Sequence, residues 1–257
     1  MSLTLYHAEP IANSAKSLIP LYEKGIPFES RYVDLGKFEQ HEPWFLELNP
    51  DGQVPVLVHD GHVVRHTTVI NEYLEEAFPD TPPLRPADPL GKARMRDWNK
   101  FVDEQVMNFV SMHGWNRRVA LLARQYEDDA FERFVARIPL LEQREKWKTA
   151  RAGFDPKDLD NSTRKVLVAV EKAEAQLGET PWLAGDIFTL ADVNFFSHCA
   201  MMLTRLFPEI GRPERYPRLY EWVDRIRARP GVARALQSPD HTDPAIKIAI
   251  EKPRGAA

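Results

Sequence analysis

The sequence N-P-D-G-Q-V-P-V-L at residues 49–57 joins a turn to a short apolar strand that carries a proline, Pro55, near its start. Proline cannot donate to the hydrogen-bond ladder of a strand, so at this position it marks an edge, a bulge or a cis peptide bond. If the Val54–Pro55 bond is cis, the N–H and C=O groups of Val54 turn outward and can pair with an extended peptide. The alternative is an ordinary edge-strand proline, and the flanking segments decide between the two.

The segments around this stretch predict a small mixed sheet. Before it, helical spacing between two strand-like segments, with Gly25 at the helix end, indicates a β-α-β unit with a right-handed crossover. After it, Asp60-Gly61 between two apolar runs is a strong hairpin signal. We expect helices on both faces of four strands, with strands at residues 3–6, 28–35, 54–59 and 62–66 and helical segments at residues 12–24, 37–48 and 69–78.

Residues 79–89 divide the chain, because the five prolines of this segment prevent a regular element from running through it. We therefore predict an N-terminal domain at residues 1–80, a linker at 81–90, an all-helical domain at 91–240 and a loosely held tail at 241–257.

The second half of the chain shows helical spacing of apolar residues and no convincing strand. Thr189 and Asp192 stand three apart before an apolar run and predict a capping box at a helix start, worth about 1 kcal/mol. The other expected elements are a long helix from about residue 92, a helical region at 128–150 broken near Pro139, a helix capped by Asn161, and a last helix at 216–228.

The composition excludes several classes of protein. The net charge of −4 and the pI near 6.1 give no basic excess that would favour nucleic acid as a partner. We find no apolar run of about 18 residues and no secretory signal, and expect neither a membrane span nor a membrane partner. The single cysteine, Cys199, excludes an internal disulfide and a CxxC pair, so we expect a cytoplasmic protein.

Two motifs within these elements resemble those of the cytosolic glutathione transferases, and the resemblance covers residues 3–230. The motifs are G-Q-V-P-V-L at residues 52–57 and W-L-A-G-D-I-F-T-L-A-D at residues 182–192. The resemblance implies a glutathione transferase fold, which is an α/β thioredoxin-like N-terminal domain plus an all-α C-terminal domain. It also implies glutathione as co-substrate, no metal, and a homodimer.

Other features look most like one subgroup, the bacterial glutathione-dependent β-etherases, which cleave β-aryl ether bonds of lignin-derived aromatics. These features are the K-F-E-Q-H run at residues 37–41, Trp44-Phe45, Asn49-Pro50, the Asn13-Ser14 pair and a helical insertion near residues 115–160. Two alternatives remain open: a general transferase that conjugates small electrophiles, and a non-catalytic binding module of the same fold.

The chemistry of such an enzyme requires a donor to the glutathione thiol. A free thiol has a pKa near 8.5, and lowering it by about two units requires roughly 2.7 kcal/mol of preferential stabilisation of the thiolate. The loop after the first strand ends at a helix N-terminus and offers Asn13 and Ser14, of which we favour Ser14 slightly. Simple capping of the first helix is the alternative for both.

The resemblance also suggests how the remainder of glutathione is bound. Val54, held by Pro55, would pair with the cysteinyl portion, and His41 and Gln53 would approach the outer parts of the peptide. Thr67, at a helix start, would hold the γ-glutamyl carboxylate. His66 stands where family members usually have an acid, so the partner of the γ-glutamyl ammonium is in question.

The second substrate, a small aromatic molecule, is expected against the helical domain. The candidate region is Trp98, Phe109, His113, Trp115 and Asn116. An aromatic stripe at helical spacing packs in a core more often than it lines a pocket, so no single role is assigned within this region.

Overall fold

The computed structural model describes residues 2–237, and over this range the chain forms a four-stranded sheet and a set of helices. The predicted tail at residues 241–257 lies outside the described residues. The sheet has the order β2-β1-β3-β4, with β1 parallel to β2 and the other pairs antiparallel, as predicted. The strands are β1 Leu3–His7, β2 Glu29–Tyr32, β3 Val56–His59 and β4 His62–Arg65.

Strand β2 is shorter than the predicted segment at residues 28–35, because β1 is its sole neighbour in the sheet and that strand ends at His7. The β3–β4 hairpin is confirmed. Asp60 and Gly61 both adopt positive φ angles, 47° and 83°, which a two-residue hairpin turn of this kind requires.

Helices cover both faces of the sheet, as expected. Helices α1 (Ala12–Glu23) and α3 (Thr67–Ala77) pack together on one face. Helix α2 (Pro43–Leu48) lies on the other face, where Phe45 contacts Val33 and Val56. Because the helix-ending glycine, Gly25, takes a φ of 65°, α1 stops close to the predicted position.

The helical region begins at α4 (Pro89–Phe101), inside the segment predicted as linker. Asp88 caps this helix by accepting a hydrogen bond from the Gly91 N–H at 2.8 Å. The helical path then continues through two π-helical turns, a local distortion that is frequent at functional sites. Its further parts are the turn Val102–Val106, α5 (Met107–Gly114), the turn Trp115–Val119 and α6 (Ala120–Ala123).

The predicted break near Pro139 is confirmed, since it separates α7 (Asp128–Ala136) from α8 (Leu141–Ala152). The predicted cap at Asn161 is wrong. Helix α9 spans Pro156–Gln176, so Asn161 lies inside it, and Asp155 caps it by accepting from the Lys157 N–H at 2.8 Å. Proline at the first helical position favours this earlier start.

The capping box is confirmed at the start of α10 (Leu190–His198), where Asp192 accepts from the Thr189 N–H at 2.9 Å. Burial raises the pKa of Asp192, and the carboxyl group also accepts from Trp222 Nε1 at 2.9 Å, which joins α10 to a later helix. The remaining helices are α11 (Leu203–Leu206), α12 (Pro217–Arg227) and α13 (Pro230–Ala235), the last of which was not predicted.

One hydrophobic cluster runs through both halves of the described chain and fixes α1 against α10 and α13. It joins Leu18 and Ile19 of α1 to Phe195 of α10. The first turn of α1 therefore lies at the boundary between the sheet and the helical region. Between residues 2 and 237, no helix combines the length and the apolar character needed to cross a membrane.

Candidate functional site at the domain boundary

A cavity of about 800 Å³ lies between the N-terminal domain and the helical region. Four predicted site residues line it: Asn13, His41, Gln53 and Val54. The helical region contributes the facing wall, through the π-helical turn that contains Trp115, Arg117 and Arg118, and through residues of α8 such as Trp147.

The peptide bond between Val54 and Pro55 is cis, so of the two alternatives that the sequence offered, the ordinary edge-strand proline is wrong. Val54 is half-buried at the cavity and Pro55 is buried behind it. The turn before them is held by the Asn49 side chain, whose Nδ2 donates to the Gln53 carbonyl at 2.7 Å. Gly52 takes a φ of 62°, and a Cβ there would meet His41 Cδ2 at 2.7 Å, so only glycine fits.

Asn13 and Ser14 have different surroundings. Asn13 lines the cavity, and its Oδ1 lies 2.9 Å from Nε2 of His198. Ser14 is buried away from the cavity lining, and its Oγ accepts from the Ala8 N–H at 3.1 Å. Neither residue caps α1, because the cap position is Ile11 and no side chain bonds there, so the capping alternative is wrong.

His41 lines the cavity, and its ring is nearly parallel to that of Phe38, with an interplanar angle of 4°. Burial and the positive charge of Arg137 lower the pKa of His41, so its ring is neutral at pH 7. Two buried polar atoms here, His41 Nδ1 and Gln40 Oε1, lack a hydrogen-bond partner among the described residues. Unpaired buried polar atoms are costly, and they are common at sites that bind ligands.

His66 and Thr67 stand outside the cavity lining, at the junction of β4 and α3. In the β3–β4 register Val56 faces Arg65, and continuing that register by one residue sets His66 opposite Pro55. His66 takes a φ of 67°, a strained value for a residue with a side chain. Thr67 opens α3 and so lies at a helix N-terminus, as predicted.

A buried polar network that the sequence reasoning missed extends from the cavity into the boundary between the domains. Lys16 Nζ pairs with Asp103 Oδ1 at 2.7 Å and donates to Thr68 Oγ1 at 2.7 Å. Asn194 Nδ2 donates to Asp103 Oδ1 at 3.0 Å, and His198 connects Asn194 to Asn13. The available signal was Asn194 and His198 at i,i+4 within a helix rich in apolar residues.

Burial lowers the pKa of Lys16, although the nearby carboxylate of Asp103 opposes this shift. Burial favours a higher pKa for Asp103 itself, but Lys16 and the hydrogen bonds from Thr68 and Asn194 outweigh it and lower the value. The 2.7 Å separation between Lys16 Nζ and Asp103 Oδ1 is typical of a charge-assisted hydrogen bond.

The facing wall is largely aromatic. Trp115 and Trp147 pack edge to face with ring centroids 5.5 Å apart. Phe38 of the N-terminal domain packs against this group. Its ring centroid lies 4.2 Å from that of Phe134 and 5.7 Å from that of Trp147. Such packing provides a rigid apolar surface beside the cavity.

Of the region predicted to contact the second substrate, Trp115 is the one member among the residues that line the described cavity. Trp98 is buried and packs edge to face on Phe195, because its stripe faces the core between helices. His113 is held inside the helical region by the Leu159 carbonyl, 3.1 Å from Nε2, and by the ring of Phe207.

Charged side chains also reach the cavity. Glu9 accepts from the Tyr32 hydroxyl at 2.9 Å and lies 3.9 Å from Arg118. Arg117 donates to the Arg205 carbonyl at 2.7 Å, which joins two parts of the facing wall. Over residues 2–237 no group of three or more His, Cys, Asp or Glu side chains is placed to hold a metal ion.

A thioredoxin-like domain whose cis-proline turn faces a cavity closed by a helical domain is the arrangement of the glutathione transferases. The glutathione S-transferase N-terminal domain model matches residues 1–76, and the C-terminal domain model matches residues 129–230. The chain belongs to the glutathione S-transferase family, which uses glutathione as co-substrate.

Two individual relatives match over most of the chain. Protein LigF of Sphingobium sp. is 43% identical over 248 residues, which cover 95% of this chain and 96% of LigF. The crystal structure of that protein, described as β-etherase LigF, matches with a TM-score of 0.88 over 91% of this chain and 98% of that chain. Glutathione S-transferase F10 of Arabidopsis thaliana is 30% identical over 75% of this chain and 77% of its own length.

Proposed function

We propose that this protein is a glutathione-dependent β-etherase that cleaves β-aryl ether bonds in lignin-derived aromatics. The observation that carries this proposal is the 43% identity, over nearly the whole of both chains, to a protein whose structure is described as a β-etherase. The two unlike walls of the cavity support it, because one presents polar groups for glutathione and the other presents indole rings for an aromatic molecule.

Glutathione is bound along the N-terminal domain. The backbone of Val54 pairs with its cysteinyl portion, and His41 and Gln53 approach the glycyl end. Thr67 holds the γ-glutamyl carboxylate at the N-terminus of α3, where backbone N–H groups and the helix dipole favour an anion.

The missing acid at His66 has a substitute in Asp103. This residue accepts from the Thr68 hydroxyl at 2.5 Å, one position beyond Thr67, and leaves 30% of its side chain exposed. Isothermal titration with glutathione tests the assignment. We expect Asp103→Asn to weaken binding, and His66→Glu in that background to restore it; unchanged binding in Asp103→Asn would remove Asp103 from the site.

The thiol lies next to Asn13. The geometry favours Asn13 over Ser14 as the donor, because Asn13 reaches the cavity whereas the Ser14 hydroxyl is buried against the Ala8 N–H. A side-chain amide N–H can stabilise a thiolate by hydrogen bonding, as a preorganised dipole does for other developing anions.

The reaction is a displacement at the carbon that bears the aryl ether and adjoins a ketone. The thiol S–H ionises, the thiolate forms a C–S bond, and the C–O bond breaks with its electron pair leaving on the aryloxide. The aryloxide then takes up a proton, so the products are a phenol and a glutathione thioether. The cationic groups of Arg117 and Arg118 on the facing wall favour the departing anion.

Conjugation of small electrophiles by a general transferase is the second candidate function, and the 30% identity to a plant glutathione S-transferase favours it. Incubation with glutathione and either a model β-aryl ether ketone or a chloronitrobenzene separates the two. We expect phenol and thioether from the ketone. Turnover of the chloronitrobenzene alone would support the general transferase, and no turnover of either would support a binding module.

We also propose that the protein is a homodimer in the cytoplasm and that it binds no metal. Family resemblance and the absence of a long apolar helix between residues 2 and 237 support it. Light scattering of the purified protein tests the dimer, for which we expect about twice the mass of 29.6 kDa; a monomer mass would contradict it.

A further inference from the structure

Lys146, on α8, is half-buried and its ammonium group has no acidic partner between residues 2 and 237. Its Nζ donates to the Ser111 hydroxyl on α5 at 2.8 Å and lies 4.6 Å from the centroid of the Trp115 ring. Burial lowers the pKa of Lys146 to about 8, so at pH 7 most molecules still carry the charge. A cation removed from water in this way needs compensating contacts.

The indole ring of Trp115 provides the larger part of that compensation. A cation over the face of an indole, within about 6 Å of the ring centroid, is attracted by the ring quadrupole, and the attraction grows as water is excluded. The Ser111 hydroxyl accepts one N–H of the ammonium. Lys146 therefore joins α8 both to α5 and to the π-helical turn that follows α5.

The same indole ring belongs to the cavity. Trp115 lines the cavity together with Gln143 and Trp147 of α8, and the two indoles pack edge to face. Positions 143, 146 and 147 share one face of α8, because residues three and four apart are neighbours on a helix. Lys146 itself is not among the described residues that line the cavity, so its charge acts there through Trp115.

A cation on one face of an indole changes how the ring meets other aromatic rings. The face of such a ring is negative and its edge is positive. The ammonium draws electron density toward itself, so the rest of the ring face becomes less negative and the edge hydrogens become more positive. Either change favours a partner ring that is rich in electrons, whether that ring stacks on the face or meets the edge.

We propose that Lys146 is a positioning residue that, through Trp115, makes the cavity selective for electron-rich aryl rings over electron-poor ones. Alkoxy-substituted rings are of the first kind and nitro-substituted rings of the second. The proposal rests on the proposed function, because it narrows the aromatic substrate of that same site. Lys146 acts on the aromatic wall and takes no part in breaking or forming bonds, so the ionisation of bound glutathione does not depend on it.

Binding of substituted acetophenones tests this selectivity without a chemical step. Calorimetry at pH 7 measures the Kd of each ketone with S-methylglutathione present, which has no thiol that can react. In the wild-type protein we expect para-methoxyacetophenone to bind about fivefold more tightly than para-nitroacetophenone. In Lys146→Met, which keeps the stem and removes the charge, this ratio should fall to about one. Lys146→Arg, whose guanidinium can also lie over the ring, should retain the ratio.

Lys148→Met is the matched control. Lys148 stands two positions further along α8 and pairs with Glu145 at 3.2 Å on the exposed surface, so its loss should leave the ratio unchanged. A Lys146→Met protein that binds both ketones more weakly by the same factor overturns the proposal, because Lys146 then only supports the wall.

The wild-type protein provides a test that does not depend on the folding of a variant. A wild-type ratio near one, or no binding of either ketone, overturns the selectivity. Phenol release from a β-aryl ether ketone is measured separately and decides the proposed function. Turnover together with a ratio near one therefore leaves the proposed function intact and removes Lys146 from it, whereas a ratio of about fivefold without turnover contradicts the proposed function alone.

Discussion

Among the contacts that join the N-terminal domain to the helical region, two that border the cavity differ in chemistry. We call the first the polar link: Asn13 and Lys16 of α1 with Asp103, Asn194 and His198. We call the second the aromatic link: Phe38 with Tyr126, Phe134 and Trp147. Both border the same cavity, the polar link at Asn13 and the aromatic link at Trp147.

Because the two links differ in chemistry, they respond differently to substitution. In the polar link each donor needs its own acceptor, so loss of one partner leaves a buried group unsatisfied and the remaining groups keep a fixed orientation. The aromatic link depends on shape and area and tolerates substitutions that preserve volume. We therefore expect the polar link to control the thiol and the aromatic link to control the fit of the aromatic substrate.

The largest effect is expected from breaking the polar link at its ion pair. Lys16→Met keeps the buried stem but removes the ammonium, which leaves Asp103 without its cation. We expect a loss of about 3 kcal/mol in the free energy of unfolding, measured by denaturant titration. Lys100→Met is the control, because it breaks an exposed pair with Glu104 that contributes at most about 0.5 kcal/mol. Equal effects of the two changes would contradict the distinction.

The donor to the thiol is tested by Asn13→Ala. We expect kcat/KM for the β-aryl ether to fall about a hundredfold, the typical cost of removing one preorganised donor. The matched control is Ser14→Ala, which should keep kcat/KM within roughly threefold but lower stability by about 1 kcal/mol, because the Ala8 N–H loses its acceptor. The reverse pattern would assign the thiol to Ser14.

The aromatic link is tested by Phe38→Ala. We expect a loss of about 2 kcal/mol in stability and a rise in KM for the aromatic substrate, with the ionisation of bound glutathione unchanged. Phe38→Leu should restore most of both, since it refills much of the volume. A change in thiol ionisation in Phe38→Ala would show that the two links do not have separate tasks.

The smallest effect, when it is taken per pH unit, is expected in the pH dependence of stability. Burial lowers the pKa of His198 to about 3. Between pH 6.5 and about 3, the unfolded chain protonates His198 whereas the folded chain keeps it neutral, so the free energy of unfolding decreases as the pH falls. Each such group contributes about 1.4 kcal/mol per pH unit in this window. In His198→Gln, the slope of the free energy of unfolding against pH should be smaller by about this amount, as measured by denaturant titration at several pH values. Identical slopes in the two proteins would contradict the buried neutral ring.

Local signals in the sequence were sufficient for the N-terminal domain and for the start of α10. The Asp60-Gly61 turn and the Thr189–Asp192 capping box each involve residues close together in the chain, whereas the cis bond before Pro55 depended on the flanking segments as well. The start of α9 was misplaced because Asp155-Pro156 is a stronger start signal than Asn161.

The contacts across the domain boundary could not be predicted. Lys16 stands 87 residues from Asp103, and Asn13 stands 185 residues from His198, so no local pattern relates them. The aromatic residues of the helical region were found as a group, but spacing alone could not separate Trp98, which faces the core, from Trp115, which faces the cavity.

The central claim is that Asn13, at the cavity end of the polar link, stabilises the glutathione thiolate. An ultraviolet pH titration of bound glutathione in the wild-type protein and in Asn13→Ala tests it directly. We expect the wild-type thiol pKa to lie about two units below the free value near 8.5, and the Asn13→Ala value to return to within about half a unit of it. A thiol pKa that is equally low in both proteins would contradict the claim.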